Sequence, residues 1–197
     1  MVEVLTPRLR LREFCDADFE AFCALEMHPA TYAYEAHPPS GVESIRAYLE
    51  QARSDRGYIE GGVRRRIRYR LAVVLRATEQ LLGRVTLTYE PRMVREWEIG
   101  WAIHPDFWGQ GLAVEAARPV LALAFELHLA HRVVAYAHAE NVASRRVMEK
   151  LGMRQEGYFR KTCPWRGGWA DEVLYALLEW EWEGSSGVVE EGDVADL

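Results

Sequence analysis

The sequence has few of the features that would place it outside the ordinary globular proteins. Its three cysteines, Cys15, Cys23 and Cys163, are scattered and show no CxxC spacing, so we expect neither disulfides nor a cysteine metal motif. No apolar run reaches the roughly 18 residues of a membrane span, and the N-terminal residues lack the basic and then apolar order of a signal peptide. We therefore expect a cytoplasmic protein without a membrane partner.

An excess of positive charge is also missing. The net charge is −6, but residues 184–197 contain only acidic charges, and residues 1–183 are close to neutral with 24 basic and 26 acidic residues. This balance argues against a general nucleic-acid binder, which needs a broad positive surface. The small, acidic, non-periodic segment 184–197 is predicted to be a disordered tail that follows a single domain at 1–183.

Hydrophobic periodicity predicts an α/β domain with the element order βααβββαβαββ, which is about seven strands and about four helices. The first strand carries Leu9 and Leu11 and extends toward Val4. In the predicted strand 96–103, Trp97, Ile99, Trp101 and Ile103 share one face, and Glu96 and Glu98 share the other. A row of carboxylates is therefore expected opposite a core face.

A glycine-rich turn, Gly109-Gln110-Gly111-Leu112-Ala113, lies between that strand and a predicted helix. Glycines allow a tight backbone turn, and the free amides at a helix start favour an anion such as pyrophosphate. The same turn is common as a purely structural feature. A dinucleotide-binding fold is excluded because the chain lacks G-x-G-x-x-G and the acidic residue that follows about 20 positions later.

A second informative segment runs from Asn141, the only asparagine of the chain, to Gly152. Asn141 is expected to cap this helix, and capping is compatible with contact to a ligand. Ser144 and Met148 lie one turn apart, as do Asn141 and Arg145, so one helical face could line a cleft.

Taken together, the motifs of residues 6–181 resemble the GNAT family of acyl-CoA N-acyltransferases, and within it the ribosomal-protein N-terminal acetyltransferase (RimJ/RimL-like) branch. The resemblance rests on five ordered motifs: Thr6-Pro7-Arg8-Leu9, Trp97-Glu98-Ile99-Gly100-Trp101, Trp108 to Ala113 with Glu115-Ala116, Asn141 to Gly152, and Trp169-Ala170-Asp171-Glu172. It implies a mixed, mostly antiparallel sheet that splays open at an acetyl-CoA site.

The resemblance also implies the residues that hold acetyl-CoA, without a metal. The pantetheine arm would pair with the backbone near Ala102, Ile103 and His104 like an added strand. The remaining contacts would come from the glycine turn and the following helix starts: Trp108, Gly109, Gln110, Gly111, Leu112, Ala113, Asn141, Ser144 and Arg145. Two positions depart from the broader family pattern, since Trp108 stands where Gln or Arg is usual and Met148 stands where a tyrosine acid is usual.

Acetyl transfer to an amine needs a base, because most aliphatic amines are protonated near pH 7. Glu98 is our candidate, acting directly or through a water; the alternative is a solvated carboxylate or an ion pair with an arginine, which applies more strongly to Glu96. Ser144 is carried over from the resemblance as the group that assists the departing thiolate. Amides near Ile103 could polarise the carbonyl.

The acceptor remains open between a protein α-amine and a small amine such as a polyamine, an antibiotic or an amino acid. A non-catalytic CoA-binding regulatory module and an RNA or ribosome adaptor are further alternatives, and a homodimer is compatible with the family. The arginines between Arg64 and Arg70 are expected to form a solvated edge, and the histidines lack metal-ligand spacing. The Trp165-Arg166-Gly167-Gly168-Trp169 segment could be a loop beside the acceptor site, or its tryptophans could anchor the core.

Overall fold

The computed structural model describes residues 2–35, 41–55, 58–60 and 63–184, with backbone alone for 58–60 and 63–65. The predicted tail lies outside the described residues apart from Gly184. The described cysteines are free thiols. In the described ranges, no helix is long and apolar enough to cross a membrane, and no group of three or more His, Cys, Asp or Glu is arranged to hold a metal ion.

Ten strands and four α-helices are found in the described residues. The strands are β1 Glu3–Leu5, β2 Leu9–Glu13, β3 Tyr58–Glu60, β4 Val63–Arg65, β5 Arg68–Leu75, β6 Gln80–Tyr89, β7 Glu96–Ile103, β8 Arg132–His138, β9 Arg154–Trp165 and β10 Gly168–Leu178. The helices are α1 Phe19–Glu26, α2 Val42–Ser54, α3 Leu112–Ala122 and α4 Val142–Lys150. A π-helical turn, Leu123–Leu127, extends α3.

Eight of the strands form one sheet in the order β1-β2-β5-β6-β7-β8-β10-β9, and β3 pairs with β4 separately. Every neighbouring pair in the large sheet is antiparallel except β7 with β8. The predicted fold class is therefore confirmed; the large sheet has one strand more than the seven expected, and β3 and β4 are two further strands outside it. The extra strand of the large sheet arises because the chain turns at Thr6, whose amide donates to the Leu9 carbonyl, so that Val4 lies on β1 and pairs with Leu11.

Hydrophobic side chains cover the sheet on both faces. The larger core packs α3 and α4 against one face and includes Trp97, Ile99 and Ile103, which confirms the predicted core face of β7. The smaller core lies under α1 and α2 on the opposite face and includes Phe22, Leu25, Ile45 and Leu49. The carboxylate row of β7 therefore shares its face with α1 and α2.

The predicted solvated edge is wrong for two of its arginines. Arg66 pairs with Glu13 at 2.7 Å and Arg70 pairs with Asp55 at 3.2 Å, and their side chains are only 13% and 11% exposed. Each guanidinium also lies over a tyrosine ring. Long arginine stems cover apolar surface while their heads meet carboxylates, which sequence spacing alone does not reveal.

A buried ion pair fixes the turn between β2 and α1. Asp18 accepts hydrogen bonds from both terminal nitrogens of Arg12 at 2.7 Å and from the Cys15 amide at 2.8 Å. Burial disfavours the charged carboxylate, but these hydrogen bonds outweigh it and hold the pKa of Asp18 below its ordinary value. The carboxylate therefore stabilises the folded chain as an ion.

We expect Asp18→Asn to lower the free energy of unfolding by about 2 kcal/mol at pH 7, because it leaves the Arg12 guanidinium without its charged partner. The control is Asp16→Asn, since the Asp16 side chain is 96% exposed and pairs with Arg53; a change below about 0.5 kcal/mol is expected there. Because the pKa of Asp18 is lowered by folding, the stabilisation is lost as the pH falls through that folded-state pKa. Urea unfolding at pH 7 and in acid measures both effects, and equal losses for the two variants would contradict this role of Asp18.

Candidate active site

The parallel strands β7 and β8 are paired over three residues only. Glu96, Trp97 and Glu98 lie opposite residues 132–134, and the pairing then stops. Beyond this point β7 continues along β6 to its end, and β8 continues along β10. The sheet therefore opens into a gap between the second halves of β7 and β8, as predicted.

Hydrogen-bond alternation decides which backbone groups of β7 face this gap. The carbonyl of Glu96 and the amide of His104 are both bonded to the β6 side. Since bonding directions alternate along a strand, Ala102 also points to β6, whereas Trp101 and Ile103 direct their backbone groups to the gap. An added strand would thus pair with Trp101 and Ile103. The sequence analysis expected Ala102, Ile103 and His104 to pair with the pantetheine arm, and of these only Ile103 faces the gap.

The glycine turn lies at the same edge of the sheet as this gap. Because β7 and β8 run in the same direction, α3 and α4, which follow them, begin at that edge on either side of the gap. Gly109 and Gly111 have φ angles of +76° and +77°, a conformation that favours glycine. Within the described part of the chain, the amides of residues 109–113 donate to no protein acceptor, so these five groups are available to an anion.

The turn is held in place by the segment that precedes β2. The Glu115 carboxylate accepts hydrogen bonds from the Thr6 hydroxyl at 2.6 Å, the Arg8 amide at 2.8 Å and Arg8 Nε at 2.6 Å. The Arg8 guanidinium also donates to the Gln110 carbonyl at 3.0 Å. Although partial burial opposes its charge, these donors lower the pKa of Glu115. Two segments about 100 residues apart are thus locked together at the turn.

Trp108 connects the turn to the end of β7. Its indole Nε1 donates to the Ile103 carbonyl at 2.6 Å, and half of the residue remains exposed. The bond leaves the Ile103 amide as the gap-facing donor of that residue. Trp108 therefore helps to shape the opening through the hydrogen bond from its indole ring to the end of β7.

On the other side of the gap, Asn141 caps α4 as predicted, because its Oδ1 accepts from the Ser144 amide at 3.1 Å. Ser144 is half-buried, and Met148 is 1% exposed in the core rather than on a cleft face. Arg145 donates to the Tyr175 hydroxyl at 3.4 Å. The guanidinium of Arg145 thus anchors α4 to β10.

The two carboxylates of β7 have different surroundings. Glu96 is buried and pairs with Arg132 at 2.8 Å, so the ion-pair interpretation holds for it. Glu98 is exposed and has no hydrogen bond or ion pair with the described residues. Loss of solvation and then repulsion by Glu172, Glu90 and Glu96 raise the pKa of Glu98 above its ordinary value. Glu98 is therefore a carboxylate beside the gap that has no partner in the described chain.

Two neighbours of Glu98, Tyr136 and Glu172, were not predicted from the sequence. Tyr136 lies two residues beyond the last β8 residue paired with β7 and is 43% exposed, and burial and then nearby carboxylates raise its pKa. Glu172 lies on β10, and burial raises its pKa. Alternation in β8 already separates Tyr136 from the core positions, but that signal does not reveal which strand lies beside it.

A cavity of about 210 Å³ lies on the same face, under α1 and α2. It contains the ion pair between Arg84 and Glu26, whose atoms approach to 2.7 Å. The hydroxyls of Thr31 and Tyr48 are buried at its wall and lack a hydrogen-bond partner among the described residues. The cavity is thus polar and large enough for part of a small molecule.

Comparison with known proteins identifies a family and several relatives. Residues 8–154 match the family described as Acetyltransferase (GNAT) domain. The chain is 32% identical over 184 residues to the uncharacterized N-acetyltransferase YnaD of Bacillus subtilis, covering 92% of this chain and 99% of that protein. It is similar in structure to a GNAT-family acetyltransferase of Bacillus anthracis, with a TM-score of 0.78, 30% identity and coverage of 90% and 99% of the two chains. A third relative is the ribosomal protein uS5 alanine N-acetyltransferase of Escherichia coli, 30% identical over 84 residues, 43% of each chain.

We expect Arg8→Ala to raise the dissociation constant for acetyl-CoA about tenfold, equivalent to about 1.4 kcal/mol, because the glycine turn loses its tether. The turnover number at saturation should change less than about twofold, since Arg8 acts through the turn. Arg10→Ala is the matched control, because Arg10 pairs with Glu79 instead. Calorimetric titration with CoA and steady-state kinetics check this; equal affinity in the wild type and Arg8→Ala would contradict it.

Proposed function

The chain belongs to the GNAT family of acetyltransferases, and from that premise we propose that it acetylates the α-amine of a protein N-terminus by direct transfer from acetyl-CoA in a ternary complex. The acetyl-CoA-dependent N-acetyltransferase activity is that of the family. The observation that carries the proposal is the unpaired Glu98 carboxylate at the point where β7 and β8 part. The relative that acetylates a ribosomal-protein alanine supports a protein acceptor and the RimJ/RimL-like branch.

The residues around the gap fit acetyl-CoA. The free amides of residues 109–113 would hold the pyrophosphate, and the gap-facing backbone of Trp101 would pair with the pantetheine arm. The Asn141 amide nitrogen remains a donor on the opposite side. Bound acetyl-CoA supplies the thioester carbonyl that the amine attacks.

Glu98 receives the proton that the acceptor must lose. An ammonium group cannot attack a carbonyl, so the amine must be deprotonated in the site. A carboxylate with a raised pKa accepts this proton more readily than an ordinary one does. Because Glu98 is exposed and unpaired within the described chain, the proton can pass to it directly or through a water.

The remaining chemistry is assigned to groups near the helix starts. The Ile103 amide faces the gap and would polarise the carbonyl. Ser144, in the first turn of α4, would donate a hydrogen bond to the departing sulfur. No covalent acyl-enzyme is invoked, since none of the three cysteines lies in these motifs.

A small amine is the second candidate acceptor. The polar cavity under α1 and α2 favours it, because a volume of about 210 Å³ can hold part of a small molecule. We do not favour a purely regulatory CoA-binding module, because the family match and several N-acetyltransferase relatives support an enzyme. A single assay can distinguish the two acceptor classes.

The kcat/KM for release of the free CoA thiol should be at least about tenfold higher with peptides that have a free N-terminus than with matched small amines. The peptide set should include N-terminal alanine and serine, and N-terminally blocked peptides serve as the control. Mass spectrometry locates the acetyl group on the α-amine. Turnover restricted to small amines would replace the protein acceptor with the second candidate.

Glu98→Gln should lower kcat/KM about 100-fold near neutral pH and remove the acidic limb of the pH profile, because a general base is lost. The same change should raise the melting temperature. The folded-state pKa of Glu98 is raised, so its ionised form costs stability at pH values above that pKa, and a neutral side chain removes the cost.

The control for Glu98→Gln is Glu96→Gln two residues away. That variant breaks the pair with Arg132 and should lower the melting temperature. Activity and thermal unfolding, followed from pH 5 to 9, give both readouts. Full activity of Glu98→Gln across this range would remove Glu98 as the base.

A further inference from the structure

Two buried N–H groups beside the candidate site have no acceptor. His138 Nε2 and Trp165 Nε1 are both shielded from solvent and have no hydrogen-bond partner in the described chain. Their rings are neighbours, with centroids 5.1 Å apart. Neither atom belongs to the machinery assigned above to acetyl-CoA.

The hydrogen bonding of His138 defines its tautomer. The Glu140 amide donates to His138 Nδ1 at 3.1 Å, so Nδ1 is an acceptor and the proton of the neutral ring is on Nε2. The indole nitrogen of Trp165 can only donate. The two atoms are therefore a pair of donors, and a buried donor without an acceptor is unfavourable.

Two segments lie beside this donor pair. Tyr34, in the turn region after α1, packs on His138 with ring centroids 5.3 Å apart. Arg166, next to Trp165, donates to the Ala33 carbonyl at 3.1 Å and joins the β9–β10 hairpin to the same region. The segment after α1 thus packs beside the donor pair.

The register places the donors at a distance from Glu98 that matches a short peptide. His138 is four residues along β8 from Val134, the partner of Glu98, which is about 13 Å at 3.3 Å per residue. Extended peptide spans about 3.5 Å per residue. A peptide amine near Glu98 would bring a carbonyl of its third or fourth residue to His138 and Trp165.

We propose that His138 Nε2 and Trp165 Nε1 bind a backbone carbonyl oxygen of the acceptor and thereby select an extended peptide N-terminus. This inference rests on the proposed acetyltransferase function and adds the residues that recognise the acceptor. A polyamine offers only N–H donors in its protonated form, so it leaves both groups unsatisfied. A single amino acid is too short to reach them from Glu98.

The test compares three acceptors, tetra-alanine amide, alaninamide and butylamine, in the wild type and in Trp165→Phe. The substitution keeps an aromatic ring and removes the N–H. We expect Trp165→Phe to lower kcat/KM for the tetrapeptide about tenfold and to change kcat/KM for the other two acceptors less than about twofold. His138→Phe should show the same pattern, and each comparison is made within one acceptor so that differences in amine basicity cancel.

Trp169→Phe is the control on the same hairpin, because Trp169 is 60% exposed, and its kinetics should equal those of the wild type. Equal losses with all three acceptors, or no loss with the tetrapeptide, would overturn the inference while leaving the acetyltransferase proposal intact. Thiol release with butylamine but not with the tetrapeptide would overturn it as well. Absence of thiol release with every acceptor would overturn both proposals.

Discussion

The limited pairing of β7 with β8 is the constraint on which the site depends. A parallel pair that continued to the strand ends would satisfy the backbone of Trp101 and Ile103 within the protein. Because the pairing stops at Glu98, these groups face an opening, and the helices that follow both strands begin at its rim. Open sheets commonly bind ligands where neighbouring strands lead in different directions.

The opening is useful only if the glycine turn is held in register with it. The Glu115 carboxylate holds it there by accepting hydrogen bonds from the Thr6 hydroxyl and from the Arg8 amide and guanidinium. A single charged acceptor with several donors gives a stiffer tether than exposed surface pairs do. The segment before β2, far from the turn in sequence, is thereby part of the site.

The same face of the sheet carries an electrostatic cost. Glu98 and Glu172 are placed where loss of solvation raises both pKa values, and only Glu96 is offset by Arg132. Proteins commonly retain such unfavourable charges where they serve chemistry. Glu98 has no hydrogen-bond or ion-pair partner in the described chain, which agrees with its proposed role as a base that exchanges its proton with a substrate.

By itself the sequence determined the features that depend on near neighbours in the chain. Alternation placed Trp97, Ile99 and Ile103 in the core, glycines marked the turn before α3, and Asn141 capped α4. Only the tertiary structure decided that Glu96 pairs with Arg132 while Glu98 does not, that Arg66 and Arg70 are covered, and that His138 meets Trp165. The physical reason is that backbone periodicity is a local property, whereas ion pairing and desolvation depend on which distant segments the sheet brings together.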